Sequence, residues 1–534
     1  MSTLKNKTNN KKNNTNLLSN FEASAIKNNN NNNNGIRFYE NHFLTVKRSN
    51  RNSNRNSTKI NTNRNRTKIN TNKNRNRNRN SNRNRNTLSQ RHIDNIDVID
   101  LETCDIKEGI IKKQISDKLS SGSFSDVYII KYNNFNFIVK KTFLEDNPYY
   151  APFDFIKEHI PKILYIFIKN EFNCYIIMKT LVSNKITPYV IFNSSTESSH
   201  IINSCYEKQK VLIQVNETAT DNFNVSSFKK FIETNIVNMD KLVFLTLLFQ
   251  IVYTLIVFNK IQLQHNDLHL ENILVLQNKF FNIFNKDIRN EYTRPPSPKV
   301  KTYYFKYDKS PESEFYLLDI GINCRIFDFD KSWKYKPVKQ FKIGVLNYDS
   351  SKHYDEDKTI KNIVLQNSEF NNSQRKYLGD IENLLNSVKT LINKIKISNK
   401  DGDPFNYELY NYIHYIIIQF YVIFLSYKKN VENYKQSNLD NLLAAQKLIM
   451  SNINHNIYKT FSSLNFHYSL KIKTEQERQQ SETISSEILQ RFLLFIINEL
   501  QNTEEYKLNQ LDKNYTERQT HHIVLDAFNI TNIK

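Results

Sequence analysis

The sequence is poor in the residues that build zinc sites and disulfide frameworks. It has four cysteines in 534 residues, and no two of them show the C-x-x-C spacing of a structural zinc site. So few scattered thiols in a chain of this length are typical of a reducing compartment, where cysteines stay free. The sequence therefore argues against zinc and predicts an intracellular protein with free thiols at Cys104, Cys174, Cys205 and Cys324.

Long hydrophobic runs are also absent. The two most apolar stretches, residues 242–258 and 412–427, are shorter than the roughly 20 residues that span a bilayer, and polar side chains such as Gln250 and His414 interrupt them. The first residues, MSTLKN, contain no hydrophobic signal core. We therefore expect a protein that is neither secreted nor transmembrane, in which both stretches are buried core helices and His414 is a hydrogen-bonded core histidine.

Residues 1–92 contain few apolar side chains. They include an unbroken asparagine run, Asn28–Asn34, and up to residue 91 they hold 21 Lys and Arg against 2 Asp and Glu, a net charge of +19 out of +22 for the chain. Such a segment cannot bury enough apolar surface to offset chain entropy, so we predict a disordered basic tail. The tail could bind nucleic acid without sequence preference through counterion release. The scarcity of glycine, with 7 residues, beside abundant Asn, Lys and Ile equally fits drift in an A/T-rich genome.

The stretch His265–Asn272, HNDLHLEN, differs at one residue type from the catalytic-loop pattern H-R-D-L-x-x-x-N. It lies between the apolar run 242–258 and an apolar ILV tripeptide, which predicts a buried helix, a polar loop and a buried strand. In this pattern the aspartate, Asp267, reaches the hydroxyl that attacks a γ-phosphate, and the asparagine, Asn272, holds Mg²⁺. Downstream, Asp380 reads either as a brace for the backbone of this loop or as a helix N-cap.

A phosphate-covering loop and a lysine strand are predicted upstream. Residues 119–127, LSSGSFSDV, match L-G-x-G-x-F-G-x-V with only the middle glycine retained, so the loop should be stiffer than a glycine-rich one. The strand Phe137–Lys140 resembles V-A-I-K, whose lysine pairs with the α- and β-phosphates and with a helix carboxylate. Lys141 is the alternative lysine. The nucleotide-binding residues predicted in the loop are Leu119, Ser120, Ser121, Gly122, Ser123, Phe124, Ser125, Asp126 and Val127.

Two aspartates compete for the metal-binding position of a D-F-G motif. Asp319 keeps the glycine, in D-I-G, whereas Asp328 keeps the phenylalanine, in D-F-D. The segment RIFDF around Asp328 matches the strand that carries this group, and aspartate with glycine is a common turn composition. We therefore favour Asp328 as the metal ligand and Asp319 as a turn residue.

Together these motifs resemble the protein-kinase superfamily, from about residue 117 to residue 380 and as far as about 500. The order Asp-Leu-His-x-x-Asn is similar to haspin-type kinases and small-molecule phosphotransferases, and the combined motifs resemble kinase-like proteins of giant DNA viruses. A viral protein of this kind would lie in the host cytoplasm, the nucleus or the virion. The resemblance implies an α+β, bilobal protein-kinase-like fold with ATP and Mg²⁺ as cofactors. It also implies that Asp267, Asn272 and Asp328 are catalytic and that Asn272 and Asp328 bind the metal.

Departures from the family pattern bear on regulation and on the substrate. Asn266 replaces the arginine that meets a phosphorylated activation loop, which predicts activity without that phosphorylation. His269, a predicted nucleotide-binding residue, stands where most Ser/Thr kinases place a lysine. Because a histidine side chain titrates near about pH 6.5, a phosphate contact by His269 would make turnover pH-dependent on the acidic side. No Ala-Pro-Glu follows the D-F-x stretch. For the helix carboxylate beside Lys140 we choose Glu158, with Asp154 as the alternative.

The motifs predict five parts along the chain. These are a disordered tail at 1–92, a small β-rich N-lobe at 93–181, a hinge-region insertion at 182–226, a larger helical C-lobe at 227–505 with an insertion at about 279–314, and a C-terminal tail at 506–534. Within them we expect strands at 118–141, 162–167 and 174–178, a hinge at 179–181, and helices at 381–395, 407–431, 439–464 and 484–500.

The function predicted from the sequence is ATP-dependent phosphoryl transfer, with a serine or threonine of a protein as the first choice of acceptor. A catalytically weak pseudokinase that serves as an interaction module is one alternative, and a small-molecule kinase is the other. The sequence indicates no oligomeric state and no membrane partner.

Overall fold

The computed structural model describes most of the chain between residues 99 and 533, and the statements below concern those residues. The described ranges are 99–100, 102–106, 120–121, 125–132, 135–143, 171, 174–175, 177–190, 199–202, 211–217, 223–280, 282–293, 300–310, 313–329, 331–334, 341–343, 346–348, 377–399, 404–451, 464, 468–471, 474–508 and 522–533. The predicted basic tail and the predicted strand at 162–167 lie outside them.

The described chain contains both strands and helices. The strands are β1 (Ile99–Asp100), β2 (Asp105–Ile106), β3 (Ser120–Ser121), β4 (Ser125–Tyr132), β5 (Phe135–Phe143), β6 (Ser199–Ile202), β7 (Val211–Glu217), β8 (Phe223–Ser227), β9 (Leu263–Gln264), β10 (Ile273–Asn278), β11 (Val300–Lys306), β12 (Glu314–Leu318), β13 (Ile322–Ile326), β14 (Trp333–Lys334), β15 (Phe341–Ile343), β16 (Leu346–Tyr348) and β17 (His522–Asn529). The helices are α1 (Phe228–Asn235), α2 (Lys241–Lys260), α3 (Lys286–Thr293), α4 (Gly379–Ser398), α5 (Tyr407–Leu425), α6 (Gln436–Ser451), α7 (Glu475–Gln501) and α8 (Glu504–Leu508). Residues 171, 174–175 and 177–183 are also helical and are called the Glu171 helix.

The lysine strand belongs to an antiparallel five-stranded sheet with the order β3-β4-β5-β7-β6. β4 and β5 are rich in β-branched and aromatic residues, which pack well on a pleated surface. Ile130 and Val139 are buried, so one face of the sheet covers a core. Lys140 lies in β5, the strand predicted for it.

One sequence-based assignment after this strand is wrong, and the segment that follows it contains strands that the sequence did not predict. Residues 174–178, expected as a strand with a hinge after them, fall within the Glu171 helix. The segment assigned to a hinge insertion contains β6 and β7, and β7 pairs directly with β5. The β-branched and aromatic composition of residues 174–178 favoured a strand, but the buried residues Cys174, Met178 and Leu181 recur at helical spacing and cover the core.

Helix α2 is the central element of the helical part. Its residues from Leu242 to Phe258 are all buried, so it has no polar face, and it packs against α7 and β13. Among the described helices, α2 alone is long and apolar enough to cross a membrane. Most of it, however, is buried inside the fold. Gln250, its polar interruption, donates to the Ile322 carbonyl at 3.0 Å and accepts from the Cys324 amide at 2.7 Å, which fastens α2 to β13.

The carboxyl-terminal helices follow the predicted order with shifted ends. α5 ends at Leu425, six residues before the predicted boundary, and α7 begins at Glu475, nine residues earlier than predicted. The early start of α7 has a local cause, a capping box in which Thr474 and Glu477 bond each other's backbone amides. His414 is buried in α5 and its Nδ1 lies 3.0 Å from the Tyr410 carbonyl, the core role expected from the sequence.

The predicted insertion at about 279–314 contributes ordered structure. It contains α3 and β11, and β11 pairs with β12 on one side and, in parallel, with β17 on the other. β17 comes from the segment predicted as a C-terminal tail. The buried Arg289 of α3 bonds Asp240 and Glu505, each at 2.6 Å, and so joins the start of α2 to α8.

The mixed helix and sheet content agrees with the predicted α+β class. Cys104, Cys174 and Cys324 are buried thiols that form no disulfide within the described residues. The division into two kinase-like lobes stays a prediction.

Candidate active site

The carboxylate of Asp380 binds the backbone at the start of the loop 265–269. Its Oδ2 accepts the backbone amide of His265 at 2.7 Å, and its Oδ1 accepts that of Asn266 at 2.8 Å. The side chain is buried in the first turn of α4 and makes no N-cap bond, since the cap position belongs to Leu378. Of the two roles that the sequence left open for Asp380, the structure therefore favours the brace for the loop.

Asn272 and Asp267 are joined across this loop. The side-chain amide nitrogen of Asn272, Nδ2, donates to the backbone carbonyl of Asp267 at 2.9 Å. Asn272 ends a 3₁₀ turn that begins at Leu270, and β10 starts with the next residue. Because the amide nitrogen is engaged, the carboxamide oxygen is the atom that Asn272 can offer to a ligand.

Asp328 lies beside Asn272. β10 and β13 are antiparallel, with Ile273 opposite Ile326, and the pairing continues where the Phe327 amide donates to the Asn272 carbonyl at 3.2 Å. The next residue, Asp328, has a φ of 66°, a left-handed conformation that aspartate tolerates better than most residues. Such backbone conformations cluster at functional sites.

Lys140 bridges two carboxylates from different parts of the chain. Its Nζ is 3.1 Å from Oδ1 of Asp328 and 3.4 Å from Oε2 of Glu171. Burial by itself would raise the pKa of Asp328, but the Lys140 ammonium reverses the shift, so the pKa of Asp328 lies below its usual range. Burial raises the pKa of Glu171, and Lys140 opposes this without cancelling it. The lowered pKa keeps the Asp328 carboxylate ionised at neutral pH, as a metal ligand must be.

The helix carboxylate beside Lys140 is Glu171, which sequence reasoning missed. Glu158 and Asp154, the two residues proposed for this position, lie outside the described residues. The available signal was the helical spacing of the apolar residues that follow Glu171, which the strand-like composition of the same segment obscured. Lys141, the alternative lysine, bonds Asp105 instead, at 2.5 Å.

Phe329, the residue after Asp328, packs against aromatic residues from three elements around the site. Its buried ring lies 5.0 Å from the imidazole of His265, 5.9 Å from the ring of Phe258 and 6.1 Å from that of Tyr175. These neighbours come from the catalytic-type loop, from α2 and from the Glu171 helix. One aromatic side chain thus packs against three separate elements around the site.

Part of the predicted phosphate-covering loop is described. β3 and β4 pair antiparallel, with Ser121 opposite Asp126 and Ser120 opposite Val127. Val127 is also opposite Lys140 in the β4–β5 ladder, so the two side chains share one face of the sheet. Leu119, Gly122, Ser123 and Phe124 lie outside the described residues. Ser125 is buried, and the Asp126 carboxylate accepts the hydroxyl of Tyr128 at 3.3 Å.

The rival aspartate, Asp319, sits at the other end of β13. Its Oδ1 accepts the amide of Gly321 at 3.0 Å, and Gly321 has a φ of 73°, a turn that glycine adopts without strain. β13 has five residues, so at about 3.3 Å per residue the two ends are well separated. The geometry favours Asp328 as the aspartate of this site.

The two ring nitrogens of His269 have different neighbours: Nε2 lies toward the carboxylate of Asp267, and Nδ1 is hydrogen-bonded to the backbone. Its Nδ1 accepts the amide of Glu271 at 3.2 Å, and its Nε2 is 3.9 Å from Oδ2 of Asp267. A ring nitrogen that accepts a hydrogen bond carries no proton, so Nε2 is the ring nitrogen of His269 that can donate. Its side chain is 42% exposed.

The donors of the site suit a hard cation. Within the described residues no group of three or more His, Cys, Asp or Glu side chains gathers into a metal site. Mg²⁺ usually takes only one or two protein carboxylates and completes its shell with water and phosphate oxygens. The Asp328 carboxylate and the Asn272 carboxamide oxygen fit that requirement. Asn272 is joined through its backbone to Phe327, the residue before Asp328, and Asp328 contacts the Lys140 ammonium.

Comparison with known proteins adds distant structural likenesses. No protein-family model matches the sequence, and no curated protein matches it. The chain is similar to the crystal structure of the PF14_0431 kinase domain, at 13% identity over 75% of this chain and 98% of that one, with a TM-score of 0.25. It is also similar to the crystal structure of the BubR1 kinase domain, at 13% identity over 72% and 84%, with a TM-score of 0.24. Because both identities and both TM-scores are low, function is argued from the site geometry.

Proposed function

We propose that the protein is an ATP- and Mg²⁺-dependent phosphotransferase whose acceptor is a hydroxyl, most simply that of a serine or threonine in a protein. The observation that supports this is a series of contacts: Lys140 meets Asp328, the preceding residue Phe327 bonds the Asn272 backbone, and the Asn272 side chain bonds the Asp267 carbonyl. Phosphoryl transfer needs a lysine, two oxygen ligands for a cation and an accessible aspartate. These groups come here from distant parts of the chain.

Each residue has a task that follows from its chemistry. The Lys140 ammonium binds the α- and β-phosphates, and the buried Glu171 holds it in place. Asp328 and Asn272 would hold Mg²⁺, which when bound neutralises charge on the phosphates. Asp267, whose side chain is 28% exposed, orients the acceptor hydroxyl and accepts its proton.

The reaction forms a bond between the acceptor oxygen and the γ-phosphorus. The bond from that phosphorus to the β,γ-bridging oxygen breaks, and ADP leaves with this oxygen and its electron pair. The proton of the acceptor passes to the Asp267 carboxylate and then to solvent, so the products are ADP and a phosphate ester.

The test compares Asp267→Asn with the wild type. Binding of Mg-ATP is followed by thermal shift, and transfer from radiolabelled ATP is followed on basic proteins and, separately, on sugars, aminoglycosides and choline. We expect wild-type nucleotide affinity in the variant and no transfer. Wild-type turnover in Asp267→Asn would contradict the role of Asp267, whereas nucleotide binding without transfer in the wild type would identify a pseudokinase. Transfer to small molecules alone would replace the protein acceptor.

A further inference from the structure

A second lysine reaches the site from the segment that follows Asp328. The Nζ of Lys331 lies 3.0 Å from Oδ2 of Asp267, and the two side chains are 31% and 28% exposed. The loop 265–272 contains no lysine or arginine of its own. Of its two histidines, His265 contacts the Phe327 carbonyl through Nε2, and His269 accepts a hydrogen bond through Nδ1. Lys331 is therefore the full positive charge that contacts Asp267 in the described residues.

The backbone around Lys331 is fastened to the loop at several points. The side-chain amide of Asn266 donates to the Lys331 carbonyl at 3.1 Å. Asn266 itself has a φ of 65°, which turns its backbone and lets its side chain reach that segment. Further ties on either side are the contact of His265 Nε2 with the Phe327 carbonyl at 2.9 Å, the bond from Ser332 Oγ to the His265 carbonyl at 3.4 Å, and the pairing of Trp333 with Gln264.

This arrangement fixes where the ammonium lies during a reaction. Asp328 and Lys331 are three residues apart on one short segment, and they contact Lys140 and Asp267 respectively. If Asp328 holds the cation on the phosphates and Asp267 orients the attacking hydroxyl, the phosphoryl group moves between those two carboxylates. An ammonium has three N–H donors, so the Lys331 side chain can bond Asp267 and a phosphate oxygen at the same time.

We propose that Lys331 is a catalytic residue that contacts the terminal phosphate of ATP and holds Asp267 toward the acceptor. Asn266 acts through it as a positioning residue, because its side chain fixes the Lys331 backbone without any phosphorylated residue. This inference rests on the proposed phosphotransferase function and assigns the loop a cation that its own residues do not provide.

The experiment compares Lys331→Met and Lys331→Arg with a matched control, Lys229→Met. Lys229 also contacts a carboxylate of this loop, Glu271 at 2.5 Å, but not Asp267. Affinities for Mg-ATP and Mg-ADP are measured by calorimetry, and kcat and KM are measured with the best acceptor. A contact to the terminal phosphate should show as a loss of ATP affinity of about tenfold in Lys331→Met, with ADP affinity unchanged.

Turnover supplies the second readout. We expect kcat to fall by about 100-fold or more in Lys331→Met, because the variant loses a preorganised group that stabilises the transition state. Lys331→Arg keeps the positive charge and should recover part of the kcat. Asn266→Gly keeps the left-handed backbone and removes the side-chain bond, so it should lower kcat by a smaller factor. Lys229→Met should match the wild type in both nucleotide affinities, in kcat and in KM.

The outcomes separate the two proposals. Equal losses of ATP and ADP affinity, or no loss of either affinity and no loss of kcat, would overturn the role of Lys331. A wild type that binds both nucleotides but transfers nothing would overturn the proposed function, while the ATP-to-ADP ratio would still decide the phosphate contact. A wild type that binds neither nucleotide would overturn both proposals.

Discussion

The hydroxyl of Tyr175 donates to Oε1 of Glu171 at 3.2 Å, while Lys140 holds Oε2 of the same carboxylate. Glu171 is only 3% exposed, so both of its oxygens need partners inside the protein. The ring of Tyr175 also packs edge-on against Phe329, the neighbour of Asp328. One side chain therefore stabilises the Lys140–Glu171 pair and the aromatic cluster behind the site.

Replacing Tyr175 by phenylalanine should separate these two contributions. The ring contact remains, but the buried carboxylate loses a hydrogen bond, which should lower the free energy of unfolding by about 1.5–3 kcal/mol and weaken Mg-ATP binding. The matched control is Tyr412→Phe, which removes a 2.6 Å bond to Glu499 in the carboxyl-terminal helices. It should lower stability and leave nucleotide affinity unchanged. Equal effects of both variants on ATP affinity would contradict the role given to Tyr175.

Asp380→Asn tests the brace under the loop. An asparagine can accept from only one of the two backbone amides and turns a donor toward the other, so we expect a loss of about 2 kcal/mol in unfolding free energy. Transfer activity should fall as well, because the loop carries Asp267. Asp440→Asn, at an exposed position in α6, serves as the control and should stay within about 0.5 kcal/mol of the wild type. Unchanged stability and activity in Asp380→Asn would show that the two amides need no carboxylate.

Arg289→Met should be among the most damaging substitutions away from the site. It leaves the carboxylates of Asp240 and Glu505 without their shared cation, and the latter is buried, so the expected loss is about 3–5 kcal/mol in denaturant unfolding. Lys286→Met, in the same helix, breaks only the exposed 3.6 Å pair with Glu504 and should cost less than about 1 kcal/mol. Similar losses in the two variants would argue that the buried triad contributes little.

His414 predicts a pH dependence of stability. Burial lowers the pKa of His414 to about 3, whereas in the unfolded chain a histidine titrates near 6.5. Between these two pH values the unfolded state binds a proton that the folded state does not. The free energy of unfolding therefore has its full value above pH 6.5 and decreases as the pH is lowered below 6.5. By pH 5 this one group should account for about 2 kcal/mol.

The measurement is urea unfolding of the wild type and His414→Gln at several pH values from 8 to 5. The wild type should lose more stability than the variant over that range, and the curves should run parallel above pH 7. Parallel curves throughout would show that His414 does not titrate on unfolding.

Some of the site could be read from the sequence because its spacing is local. Asp267 and Asn272 belong to one loop of fixed length between two apolar elements, and Asp328 follows a short strand with a recognisable pattern. The lysine strand was visible for the same reason. Glu171 was not, because its segment has strand-like composition and the helix is stabilised by burying Cys174, Met178 and their neighbours against a core made elsewhere in the chain.

Long-range pairing explains the strands that the sequence did not predict. β6 and β7 lie in the segment interpreted as a polar insertion, and the local sequence does not signal that β7 pairs with β5 and β6 with β7. β17 joins β11 across more than two hundred residues, and no local pattern signals a parallel partner at that distance.

The sequence by itself determined the order and spacing of the polar groups that suggest phosphoryl transfer, since these follow from neighbouring residues in the chain. Only the tertiary structure decided that Lys140 meets Glu171 and that Lys331 meets Asp267. Those contacts depend on how separate elements pack, because burial and hydrogen bonding between distant segments select one arrangement among many that the local pattern allows.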